Sequence, residues 1–235
     1  MLMLALLLAV VGMAGLVIRA RHAGRFGTLG KTGAVVAAAL ALAFAARGAG
    51  PLPGDLALAR LIQHPGYDGL ASSLIVHADD ALWVLSPLVV LVALIGRRWM
   101  AALFVALAAV TGKLIPDSIK PLFARPRPSA ELVRVLDSSE DYSFPSTTAF
   151  FAAVFFGMVA YLVWRERTGR LVAVAATGVS LVMAFGLSRV YAGEHWPTDV
   201  LGGWLLGGAC LLVLVAAHRL AQTGGPTRRR RPERQ

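Results

Sequence analysis

Ser188-Arg189-Val190-Tyr191-Ala192-Gly193-Glu194-His195-Trp196-Pro197-Thr198-Asp199 is a polar island between two long apolar runs, residues 171–187 and 199–217. Runs of this kind approach the roughly 18–20 residues that cross a hydrocarbon core of about 30 Å. Lipid offers backbone N–H and C=O groups no partner, so such runs must be helices. The island is therefore the connection between two spans at one membrane face. Within it His195 and Asp199 stand four apart, the spacing at which a carboxylate one helical turn on can hold and polarise an imidazole. Arg189 adds a permanent positive charge beside them.

The rest of the chain has the same character. Hydrophobic residues make up 57% against 15% charged, which excludes ordinary soluble-domain usage. The net charge of +10 does not point to nucleic acid, because Arg and Lys sit mostly in short connections between apolar runs, where they orient helices in a bilayer. No nucleic-acid partner is expected. The single cysteine, Cys210, lies inside an apolar run, which excludes an intrachain disulfide and a CxxC metal or redox site.

Working outward, the runs 1–18, 32–46, 80–95, 99–116, 146–164, 171–187 and 199–217 read as seven spans. Basic connections at 19–31, 97–98 and 165–170, and the tail with Arg228–Arg231, fall on one side and are assigned to the cytoplasm. The first run lacks the basic start of a secretory signal and reads as a retained helix with its N-terminus outside. The expected fold class is all-α, a polytopic transmembrane helix bundle. Residues 1–31 form an N-terminal helix and basic cytoplasmic loop, 32–217 the core, and 218–235 a basic cytoplasmic tail. Between spans two and three, residues 47–78 carry early Gly and Pro and then two short amphipathic stretches, read as lids or helices lying on the outer surface.

Three polar clusters then fall on the outer side: Lys120-Pro121-Leu122-Phe123-Ala124-Arg125-Pro126-Arg127-Pro128, Phe144-Pro145-Ser146-Thr147-Thr148, and the island. Their chemistry is complementary. Lys120, Arg127 and Arg189 supply donors suited to phosphate oxygens. Ser146 opens a span, so its hydroxyl and the first free N–H groups of the helix make an anion site. His195, oriented by Asp199, can attack phosphorus and carry it as a phosphoimidazole. This chemistry asks for no metal and no other cofactor. Lys113 and Asp117, four apart near the outer end of span four, read as a local ion pair rather than a transport site.

The clusters resemble the tripartite signature of the type-2 phosphatidate phosphatase superfamily, which includes bacterial lipid phosphatases and vanadium haloperoxidases: KxxxxxxRP, PSGH and SRxxxxxHxxxD. Lys120, Arg127 and Pro128 match the first motif, and Ser188, Arg189, His195 and Asp199 the third. The resemblance implies six core helices with the first span an addition, and a site facing the periplasm or cell exterior. It also implies phosphate binding by Lys120, Arg127 and Arg189, attack by His195, orientation by Asp199, and a lipid phosphate or diphosphate as substrate.

The second motif departs from the pattern. Pro145 and Ser146 are kept, but Thr147-Thr148 replaces Gly-His, and Thr148 cannot supply the acid that the family's histidine provides. Diphosphates suffer less from that loss, because their leaving phosphate is already a stable anion. Other candidate acids on the outer side are His64, His77, Asp79, Asp80, Asp141 and Glu194. The alternative is a non-hydrolytic protein of the same fold that binds lipid phosphate headgroups or a protein partner.

Overall fold

The computed structural model describes residues 50–64, 76–137, 139–166 and 171–223, with Ser73 and scattered residues between Gly33 and Gly48. The expected first span, most of the second, and the tail beyond Thr223 lie outside the described residues. Six helices are formed among the described residues: α1 Asp55–Gln63, α2 Ala78–Ile95, α3 Trp99–Phe123, α4 Thr147–Glu166, α5 Leu171–Tyr191 and α6 Pro197–Thr223. Four of them, α3 to α6, are long and apolar enough to cross a membrane. The architecture is the all-α membrane bundle that the composition demands.

Helix α4 occupies the centre, packed on α3, α5 and α6. Its Phe150, Phe151, Val154, Phe155 and Met158 point in different directions and are all buried, as expected of a helix apolar on every face. The surrounding helices keep apolar stripes exposed, with Leu88, Leu91 and Ile95 on α2 and Leu103, Leu107 and Val110 on α3. Those stripes face lipid. Because lipid tails give no hydrophobic drive between helices, association depends on close backbone approach. Gly203 and Gly207 of α6 provide it: a Cβ would come within 2.7 Å of the Ser146 carbonyl oxygen at Gly203 and within 2.6 Å of the Phe150 carbonyl oxygen at Gly207. The start of α4 is thereby set against the start of α6, which brings the second and third clusters together.

Three details differ from the sequence expectations. Helix α3 runs through Pro116 and Pro121 to Phe123 and closes at Ala124, whose φ is 48° and whose N–H donates to the Lys120 carbonyl at 3.0 Å. A proline removes one ladder bond, and the packed neighbours carry the helix on. Lys120 consequently sits in a helical turn instead of a loop. Helix α6 continues past residue 217 to Thr223, so His218 is a buried member of the bundle. Helix α1 exists where the amphipathic pattern suggests, but it packs inward, with Leu56, Ala59 and Ile62 against Val190, Trp196 and Val200. Its Asp55 is wholly buried in an ion pair, which fixes the helix to the bundle. The expected pair of Lys113 and Asp117 forms at 2.7 Å.

Candidate active site

Two connections at one end of the bundle carry the polar clusters: residues 124–146 between α3 and α4, and residues 192–196 between α5 and α6. They are tied to each other through the backbone. The Ser143 N–H donates to the Arg125 carbonyl at 2.9 Å and the Ser146 N–H to the Asp199 carbonyl at 3.1 Å. The buried indole of Trp196 donates to the Pro126 carbonyl at 3.2 Å. Gly193, with φ 76°, has no room for a side chain, since a Cβ would lie 2.2 Å from the Arg134 carbonyl oxygen. From α1, the Gln63 amide donates to the carbonyls of Arg134 at 2.7 Å and Tyr191 at 3.0 Å, closing the far side of the turn.

This scaffold gathers Lys120, Arg127, Arg189 and His195 into one polar cluster, linked through Asp141 and Glu194. His195 is 3% exposed, and its Nε2 lies 3.4 Å from Arg127 Nη1. A guanidinium only donates, so this contact assigns the lone pair to Nε2 and the proton to Nδ1. Burial pushes the imidazole pKa down to about 4, Arg127 lowers it further, and Asp199 opposes the shift. The ring is therefore neutral at pH 7, with its lone pair turned toward the cations.

Asp199 stands 3.7 Å from His195 Nδ1, an approach longer than a hydrogen bond, and Nδ1 has no hydrogen-bond partner among the described residues. The carboxylate is held mainly by other groups. Its Oδ2 accepts from the Ser143 hydroxyl and from the Trp196 N–H at 2.8 Å, and its Oδ1 accepts from Arg125.

Arg125 and Asp55 are the residues that sequence reasoning missed. Arg125 is fully buried and spans two carboxylates, donating through Nη1 to Asp199 and through Nη2 to Asp55 at 2.7 Å. Its Nη1 also reaches the Thr198 hydroxyl at 2.8 Å, and that hydroxyl donates to Asp55 at 2.8 Å. The only trace in the sequence is the doubled Arg-Pro-Arg-Pro at 125–128, whose second arginine alone fits the motif.

Each cation of the cluster meets a carboxylate. Asp141 accepts from both Lys120 and Arg127. Burial works against its ionisation, yet hydrogen bonds from Lys120, Ser139 and Arg127 hold its carboxyl well below the usual range. Glu194 pairs with Arg189 at 2.8 Å and stands 3.7 Å from Arg127 Nη1. Burial raises its pKa, against the pull of Arg189 and Arg127. Asp79 lies 3.1 Å from Arg189. Among the other expected acids, His77 pairs with Asp80 at 3.2 Å on the exposed surface.

The second cluster enters from the start of α4. Ser146 is fully buried, and its Oγ accepts from the Ala149 N–H at 3.4 Å, the geometry of an N-cap. Thr147 donates to Asp117 at 2.7 Å. Thr148 is buried, and it brings no titratable group to the position.

Residues 98–222 match the PAP2 superfamily. The chain is similar to phosphatidylglycerophosphatase B of Bacillus subtilis, 32% identical over 156 residues, covering 63% of this chain and 73% of that protein. It is also similar to an undecaprenyl-diphosphatase of Sulfolobus acidocaldarius, 27% identical over 143 residues, covering 60% of this chain and 65% of that protein. The crystal structure of a transmembrane PAP2-type phosphatidylglycerolphosphate phosphatase from Bacillus subtilis shares the fold, with a TM-score of 0.69 at 23% identity over 84% of this chain and 99% of that one. Four membrane-length helices, three clusters converging at one end, and a match across 98–222 lead to one conclusion: this chain belongs to the PAP2 superfamily, in its membrane-embedded phosphatase branch.

Proposed function

We propose that the protein hydrolyses a lipid phosphate or diphosphate at the outer face of the cell membrane through a phosphohistidine intermediate. The observation that carries this reading is the unprotonated Nε2 of His195, buried and aimed at Arg127 at 3.4 Å. A phosphoryl group that takes Arg127's place against Nε2 would be bound by Lys120, Arg127, Arg189 and the Ser146 end of α4. Nε2 attacks phosphorus, the P–N bond forms, and the bond to the leaving oxygen breaks with its electron pair. Asp199 supports the positive charge that develops on the ring. Water then attacks the phosphoimidazole, releasing phosphate and restoring the neutral histidine. The cytoplasmic C-terminus and outward-facing site follow from the basic loops.

The leaving oxygen decides the substrate class. General acid catalysis is worth about 100-fold to 10,000-fold, and Thr148 cannot supply it. A polyprenyl diphosphate, whose leaving group is already an anion, therefore turns over faster than the matched monophosphate. The test is phosphate release from both lipids by wild type, His195→Ala and Thr148→His. We expect a diphosphate preference in wild type, a loss of at least about 1,000-fold in His195→Ala, and a gain of about 10-fold to 100-fold on the monophosphate in Thr148→His. A monophosphate preference in wild type would sink the substrate reading.

A second reading is favoured by the carboxylates already seated on the cations. With Asp141 on Lys120 and Arg127 and Glu194 on Arg189, the cradle is self-neutralised, as suits a protein that binds lipid phosphate headgroups or a partner without turnover. Vanadate or lipid phosphate binding with no phosphate release from any of the three proteins would establish it.

A further inference from the structure

The opposite end of the bundle holds a second basic site. Helix α6 places Asp199 at one end and His218 toward the other, about 30 Å apart at 1.5 Å per residue. Around His218 lies a cavity of about 450 Å³ lined by Arg97, Arg98, Trp99, Arg165, His218 and Gln222. No acidic side chain lines it among the described residues. Its floor is built rather than incidental. His218 is 2% exposed, with Nδ1 3.1 Å from the Tyr161 hydroxyl and Nε2 3.2 Å from the Gln222 amide. Arg165 donates to the same tyrosine hydroxyl at 3.3 Å, which orients its guanidinium along the cavity wall.

Arg97, at φ 55°, takes the left-handed position of the turn that ends α2, where its N–H donates to the Leu94 carbonyl and the Arg98 N–H to the Ala93 carbonyl, both at 2.9 Å, and this turn brings Arg97 to the cavity lining. A further observation points to a ligand. The cavity adjoins an apolar groove of about 380 Å³ between α2, α3 and α4, the two having Arg98, Ala101 and Leu162 in common. Val89, Val92, Val105 and Val159 line that groove. A basic pocket opening into an apolar channel has the form of a phospholipid, with phosphate at one end and an acyl chain along the other.

We propose that this cavity and groove bind an anionic phospholipid of the leaflet opposite the candidate active site, its phosphate against Arg97 and Arg165 and one acyl chain in the groove. The site binds without turnover: the one imidazole there has both ring nitrogens engaged by Tyr161 and Gln222. Charge complementarity selects an anionic headgroup over a zwitterionic one, and the groove selects a lipid over a soluble phosphate.

The experiment measures binding to the purified full-length protein by native mass spectrometry and thermal shift. The probes are phosphatidylglycerol, phosphatidylcholine, glycerol 3-phosphate and inorganic phosphate. Wild type should prefer phosphatidylglycerol to phosphatidylcholine by about tenfold, as two or three basic groups near a headgroup provide. Arg97→Gln/Arg165→Gln should lose that preference while phosphate release stays within about twofold of wild type. Arg97→Gln alone, on an exposed turn, keeps the test open if the double variant folds poorly. Ala93→Phe, which fills the groove from a position that does not line the basic cavity, should weaken lipid binding and leave the response to glycerol 3-phosphate unchanged. An unchanged lipid preference in the arginine variants overturns the proposal. So does a response to glycerol 3-phosphate or inorganic phosphate that equals the response to the lipid and is abolished in Arg97→Gln/Arg165→Gln, which locates it in this cavity and not at the candidate active site.

Discussion

The two ends of the same helices carry arginines in opposite electrostatic settings. At the active-site end Arg125, Arg127 and Arg189 are each matched by carboxylates, namely Asp55 and Asp199, Asp141, and Glu194 with Asp79. At the other end Arg97 and Arg165 border a cavity that no carboxylate lines among the described residues. The difference follows from depth. Arg125 and Arg189 are wholly buried, where an uncompensated charge costs several kcal/mol, so the fold must supply counter-charges before any substrate arrives. Arg97 and Arg165 are exposed and can remain solvated or meet a headgroup.

The sharpest way to break this contrast is to remove one arginine from each end. Arg125→Met leaves Asp55 and Asp199 buried without their shared cation and should destabilise the protein by about 3–5 kcal/mol. Arg165→Gln should change stability by about 0–1 kcal/mol. Thermal unfolding in detergent compares the two, and equal losses would erase the distinction.

The pH profile examines the histidine that the paired cations surround. With the His195 pKa pushed down to about 4, protonation removes the Nε2 lone pair only below that pH. The acid limb of kcat/KM should therefore lie near pH 4 and fall about tenfold per unit beneath it, rather than begin near the ordinary histidine value of about 6.5. Stability carries the linked sign. The unfolded histidine takes up its proton first, so this residue's contribution is full above the unfolded pKa and declines as pH falls toward about 4. A limb near 6.5 would place the attacking group in a more solvated setting than the structure gives it.

Asp141 yields the smallest effect, because its side chain is 45% exposed. As the carboxylate on Lys120 and Arg127, it competes with any incoming phosphate. Asp141→Asn should lower KM for a lipid phosphate by about twofold to fivefold, with kcat little changed. A higher KM would mean that Asp141 holds the cations in position rather than competing for them.

Much of the fold was legible because lipid removes alternatives. An apolar run of membrane length can only be a helix, and basic loops order the spans, so the fold class followed from residues 99–217 alone. The site was legible in part for a related reason: a chain with 15% charged residues leaves few polar groups to consider, and Lys120, Arg127, Arg189 and His195 do converge. The ends of α3 and α6 were less legible. Pro116 resembles a stop, and His218 resembles the first residue of a polar tail, but packing against α4 extends both helices past those marks.

What the sequence determined by itself is a membrane helix bundle whose three polar clusters bear the motif pattern of a phosphatase family, because hydropathy, loop charge and motif spacing are local properties of the chain. What only the tertiary structure decided is how the groups are held. The bridge from Asp55 through Arg125 to Asp199 joins residues 70 and 74 positions apart. Asp141 reaches back 21 residues to Lys120. The lipid-shaped cavity assembles α2, α3, α4 and α6. No local pattern encodes such contacts, since the burial that makes each charge need its partner exists only once the helices have packed.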